Sequence, residues 1–64
     1  MENPGEVIKT LREEKKMSRR MLSRLSGASA RAIGYYEHGK RMPRTDTYAD
    51  ILAVFGYDIK IVKL

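Results

Sequence analysis

Cysteine and tryptophan are absent from this 64-residue chain, phenylalanine occurs once, and the only histidine is His38. Without cysteine, neither a disulfide nor a thiolate zinc site can form. A lone histidine does not make a metal site, so no metal and no cofactor is expected. An enzyme needs a nucleophile–base pair or a metal constellation set in a pocket. This composition offers neither, and a non-enzymatic protein is expected. Long apolar runs are missing too: the longest, Ile51 to Phe55, has five residues, against the ~20 that a membrane span needs. No apolar run follows a basic start, so the expectation is a cytoplasmic protein with no secretory signal and no membrane partner. A chain this short makes one domain. It buries only about 60% of its unfolded surface, which leaves a small core. Close helix packing and self-association remain as sources of stability.

Acidic residues are scarce where basic ones crowd. Residues 15–44 hold nine basic side chains (Lys15, Lys16, Arg19, Arg20, Arg24, Arg31, Lys40, Arg41 and Arg44) and one acid, Glu37, for a local balance of +8. The remainder carries four basic and seven acidic residues, −3, so that the whole chain is +5. Segregation of this kind points to a polyanionic partner, with a merely solvated basic surface as the alternative. Anionic lipid fits less well. An interfacial helix needs large apolar residues opposite its basic face, and the few apolar residues here are needed for a core.

Read along the chain, four helices are expected, at about residues 4–16, 18–25, 29–38 and 45–55. Asn3-Pro4-Gly5-Glu6 is a helix start: asparagine caps and proline suits the first helical position. Val7, Ile8 and Leu11 follow at helical spacing, with charged residues 12–16 filling the last turns. Ser18 caps a short second helix whose apolar face is Met21, Leu22 and Leu25, with Met17 as a staple onto Leu22. Gly27 ends it in a tight turn. Ser29 caps a third helix that turns Ala28, Ile33 and Tyr36 inward and Tyr35 outward, and Gly39 ends it. The stretch 39–44 is loop by composition. In the fourth helix Tyr48, Ile51, Leu52 and Phe55 form the cleanest apolar stripe of the chain, and Gly56 stops it. The tail, residues 57–64, alternates Tyr57, Ile59 and Ile61 with Asp58 and Lys60. That is a strand signal, with a short fifth helix as the rival. A lone strand is an open edge, so the expected arrangement pairs the tail with that of a second copy across a two-fold axis, through Tyr57, Ile59 and Ile61.

Two short helices joined at Gly27 within a basic segment have the form of a helix-turn-helix. Leu11-Arg12-Glu13-Glu14-Lys15-Lys16-Met17-Ser18, Leu22 with Gly27-Ala28-Ser29, the run Ile33-Gly34-Tyr35-Tyr36-Glu37-His38-Gly39-Lys40-Arg41-Met42-Pro43, and Ile51 to Gly56 together resemble the phage-repressor, Cro and Xre-like helix-turn-helix family over about residues 6–56. The resemblance implies an all-α, compact four-helix, lambda-repressor-like domain, here with a strand-like tail. It further implies a bacterial or phage-encoded regulator that binds double-stranded DNA as a homodimer. The third helix would then lie in the major groove, with Ala30, Arg31, Gly34 and Tyr35 at base edges. Among these Arg31 is the strongest reader, through guanine O6 and N7. Arg19, Ser29, Lys40, Arg41 and Arg44 would hold phosphates. Arg12 would pair with Glu37 as a structural salt bridge. Arg19 departs from the family, which usually has glutamine there, and Ser23 stands where it prefers alanine.

Other residues read more plainly. Asp46 and Asp50 suit a helix start rather than a metal or acid–base pair, His38 suits a helix C-terminus or a phosphate, Met17 and Met21 suit the core, and Met42 suits loop packing. Two further functions stay open on the sequence: an antitoxin acting mainly through a toxin protein partner, and a restriction-modification controller.

Overall fold

The computed structural model describes residues 3–57. Four helices follow one another, α1 (Pro4–Glu14), α2 (Arg19–Ser26), α3 (Ala30–Glu37) and α4 (Thr45–Val54). No strand occurs among the described residues, and the domain is all-α, as expected. Residues 58–64 lie outside the described residues, and with them the expectations for Ile59, Ile61 and a strand-like tail. Tyr57, the last described residue, is exposed.

Local chemistry sets the helix starts. Asn3 Oδ1 accepts the amide of Gly5 at 2.8 Å, with Pro4 in the first turn. Ser18 Oγ accepts the amide of Met21 and Ser29 Oγ that of Ala32, each at 3.0 Å. Each cap satisfies an orphan N–H and contributes about 1 kcal/mol. α4 begins without a side-chain cap.

The helix ends hold one departure. α1 stops at Glu14, two residues short of the expected end. Lys16 adopts φ +53°, while the amides of Lys16 and Met17 return to the carbonyls of Glu13 and Arg12. This paired closure usually places glycine at the left-handed position. A lysine there hides the signal, which is why the sequence reads two residues too long. Gly39 and Gly56, at φ +74° and +85°, close α3 and α4 in the same way.

The core is a cluster of Ile8, Leu22, Ile33, Tyr36 and Ile51, drawn from all four helices, with Met17, Ala28, Ala32, Tyr48, Val54 and Phe55 packed against it. Ile8, Leu22, Ile33 and Ile51 are fully buried. Removing one to alanine would cost about 2–5 kcal/mol, as much as a small domain has. The expected inner face of α2 is corrected here. Leu22 alone is buried, whereas Met21 and Leu25 are 44% and 56% exposed. With 100° between successive residues, Met21 and Leu25 lie on the same side of Leu22, about 100° and 60° round the helix from it, on a flank that stays exposed. Met21 is therefore a surface residue and not part of the core, and Met42 is exposed as well.

α1 and α3 meet where Gly5 is buried against the backbone of Tyr36. A Cβ on residue 5 would land on the Tyr36 carbonyl oxygen, so the crossing is possible only with glycine. Gly34, in the middle of α3, has open space where a Cβ would go. Gly5→Ala is expected to lower the unfolding free energy in urea by about 1–3 kcal/mol or more, as overpacking does. Gly34→Ala is expected to raise it by about 1 kcal/mol through helix propensity.

Candidate nucleic-acid interface

α3 carries its apolar residues on one side and leaves the other to solvent. Ile33 and Tyr36 are buried, Ala30 and Arg31 are exposed, and Gly34 and Tyr35 are half-buried. Positions 30, 31, 34 and 35 share one face at helical spacing, so the four expected base-reading residues are brought together. Arg31 enters no ion pair among the described residues. The Tyr35 ring lies under the Arg41 guanidinium, whose carbon is 5.7 Å from its centroid. That cation–π contact steadies both the ring and the loop after α3. Ser29 sits exposed at the start of the helix. Its oxygen is used as the cap acceptor, which leaves the hydroxyl proton to donate outward. His38 closes the other end, its Nδ1 2.8 Å from the Gly34 carbonyl. The proton on that bond belongs to the ring, since the carbonyl can only accept.

Lys40, Arg41 and Arg44 are exposed on the loop that follows. Arg44 lies 3.7 Å from Asp46, with both side chains largely in solvent. A pair so exposed holds neither partner firmly. Arg19 is placed otherwise than a purely surface phosphate contact. Its Nε and Nη2 both lie 3.1 Å from Glu37 Oε1.

Glu37 is the anchor of this region. Its side chain is 1% exposed. Arg12 Nε donates to Oε2 at 2.8 Å and Arg12 Nη2 to Oε1 at 3.0 Å, so the expected pairing of these two residues is present as a two-pronged bond. Arg12 Nη1 donates to the Met17 carbonyl at 2.9 Å, which ties the α1–α2 turn into the same group. Burial pushes the Glu37 carboxyl upward, but the hydrogen bonds from Arg12 and then Arg19, with their charges, outweigh it and hold the group below its ordinary value of 4.5. Arg12 moves the other way: its bond to Glu37 raises it against the opposing effect of burial. The composition and spacing of the sequence contain no sign of the Arg19–Glu37 contact or of the Met17 carbonyl's part in it. Residues 18 apart on different helices show no local pattern.

No group of three or more metal-ligating side chains occurs among the described residues. None of their helices is long and apolar enough to cross a membrane.

Two short helices set across a turn at Gly27, with the second presenting Arg31 on its outer face and followed by a cationic loop, define a helix-turn-helix domain. A family model described as helix-turn-helix matches residues 8–62. The chain belongs to this family, the Cro/C1-type, Xre-like group of DNA-binding regulators. No curated protein and no solved structure matches it.

Breaking a buried pair from one side leaves an uncompensated charge and costs about 3–5 kcal/mol. Glu37→Ala is therefore expected to leave little folded protein by circular dichroism. The double replacement of Arg12 and Glu37 by methionine should melt cooperatively and above it. Because the native carboxyl is depressed, its contribution is fully present above pH 4.5 and lost as the pH falls through the native value. An acid titration of unfolding should show that loss in the parent chain, and a flatter profile over the same range in the double replacement.

Proposed function

We propose that this protein is a dimeric repressor of transcription that inserts α3 into the major groove and excludes polymerase by covering its operator. The observation that carries the reading is the outer face of α3, with Arg31 exposed and in no ion pair among the described residues, and with Arg19, Lys40 and Arg41 gathered at the C-terminal end of the helix. In this reading Arg31 reads a guanine, Ala30 contacts a thymine methyl, and Gly34 and Tyr35 lie along the groove. Ser29, Arg19, Lys40, Arg41 and Arg44 fix register through phosphates. A two-fold dimer, through the tail from Tyr57 onward, sets half-sites roughly 34 Å apart.

A second reading is supported by the exposed pair Met21 and Leu25 on α2. Apolar side chains in that position suit a protein partner such as a toxin, and a family member of this size can bind both DNA and a toxin. A restriction-modification controller has the same DNA-facing surface. Selection of bound duplexes from a random pool at physiological salt tests the leading reading. Two related half-sites one turn apart are expected, and a pool that never enriches would overturn it.

On the selected duplex, Arg31→Ala should weaken binding by about 1–3 kcal/mol and relax preference at one base position. Equal loss on every sequence would reassign Arg31 to the backbone. Lys40→Ala should weaken all duplexes alike and flatten the slope of log affinity against log salt by about 0.9.

A further inference from the structure

Glu37 meets two guanidinium groups with one carboxylate. Arg12 spends its bonding capacity inside the protein, with Nε and Nη2 on Glu37 and Nη1 on the Met17 carbonyl, and its side chain is only 13% exposed. Arg19 is arranged differently. Both of its contacts, from Nε and Nη2, go to the single atom Oε1, and its side chain is 39% exposed. A guanidinium carries five N–H groups in a planar fork. Those on Nη1 take no partner among the described residues. The cluster as a whole keeps one positive charge that its own carboxylate does not cancel, and that charge reaches solvent through Arg19. Glu37 is also the last residue of α3, three and four residues before Lys40 and Arg41. The half-open guanidinium and the cationic loop thus depart from the same end of the helix.

An exposed ion pair is weakly held, but here the acceptor is buried and itself fixed from two directions by Arg12. Arg19 is therefore presented in one orientation, and a ligand that meets it does not have to order a long side chain first. The ligand that a planar fork with spare N–H groups takes is an oxyanion with two accessible oxygens.

Resting on the reading of α3 as the groove-entering helix, we propose that Glu37 is a positioning residue for DNA binding. It holds the Arg19 guanidinium so that the outward N–H groups clamp one phosphodiester of the duplex beside the C-terminal end of α3. Lysine in place of Arg19 keeps the charge but loses the fork, because an ammonium cannot face Oε1 and a phosphate with a fixed plane between them. Glutamine removes the charge.

The test measures affinity for the selected duplex across a range of salt concentrations, with thermal melts alongside, for the parent chain, Arg19→Gln, Arg19→Lys and Lys40→Ala. Both Arg19 variants leave the Arg12–Glu37 pair in place. Arg19→Gln should flatten the salt slope by about 0.9. Arg19→Lys should keep the parent slope and bind about threefold to tenfold more weakly, the effect of losing one well-placed hydrogen bond. Parent-like affinity in Arg19→Lys overturns the positioning role. An unchanged slope in Arg19→Gln, with the slope still reduced in Lys40→Ala, removes Arg19 from the interface and overturns this inference alone. A parent chain that binds no duplex overturns the reading of α3 and this inference with it.

Discussion

A carboxylate withdrawn almost entirely from water governs the arrangement of this domain. Glu37 is tolerable in the interior only while Arg12 faces it. The α1–α2 turn brings the Met17 carbonyl to the remaining nitrogen of Arg12. One ion pair thus sets the position of α1 relative to α3 and the path of the chain between α1 and α2. Such a group contributes less to net stability than to the choice among packings, since a shifted arrangement would strand a charge. Ile8, Leu22, Ile33 and Ile51 are the largest fully buried side chains among the described residues, and the buried pair adds a directional constraint that so small an apolar core lacks. The close approach of Gly5 to the Tyr36 backbone acts on the same helix crossing from its other end.

The parts of the fold that depend on local chemistry were legible in the sequence. Asn3, Ser18 and Ser29 name the helix starts because a cap is a contact over two or three residues. The stripe through Ile51 and Leu52, and the inward turn of Ile33 and Tyr36, follow from a period of 3.6. The end of α1 was misread because Lys16 takes a backbone angle that normally announces itself as glycine. Met21 and Leu25 were misread because periodicity marks a wide apolar arc on an eight-residue helix, whereas the neighbouring helices cover only Leu22. Gly5 shows the converse. Its identity is visible in the sequence, but its reason is a tertiary crossing.

The candidate site divides along the same line. The outer face of α3 is a matter of helical phase, so positions 30, 31, 34 and 35 could be grouped from the sequence. The Arg12–Glu37 pair came from family resemblance, and the geometry agrees with it. The second arginine on Glu37 had no such source. Its partner is 18 residues away on another helix. Only the assembled fold brings the two together.

This arrangement also bears on how discrimination between duplexes would arise. On the proposed reading, the outer face of α3 offers one strong hydrogen-bonding side chain, Arg31, among an alanine, a glycine and a tyrosine already engaged with Arg41. Direct readout at one or two positions yields only about 1–3 kcal/mol each. Phosphate contacts do not read sequence directly, but they do fix where the backbone must lie. A cation held in one place disfavours duplexes that cannot bring a phosphate to that point without deformation, and that cost depends on sequence. The more firmly Arg19 is held, the less the protein can adjust to a poorly shaped duplex. On that reading, a residue held by a buried carboxylate would sharpen selectivity without touching a base, and that would offset the sparse chemistry of the outer face of α3.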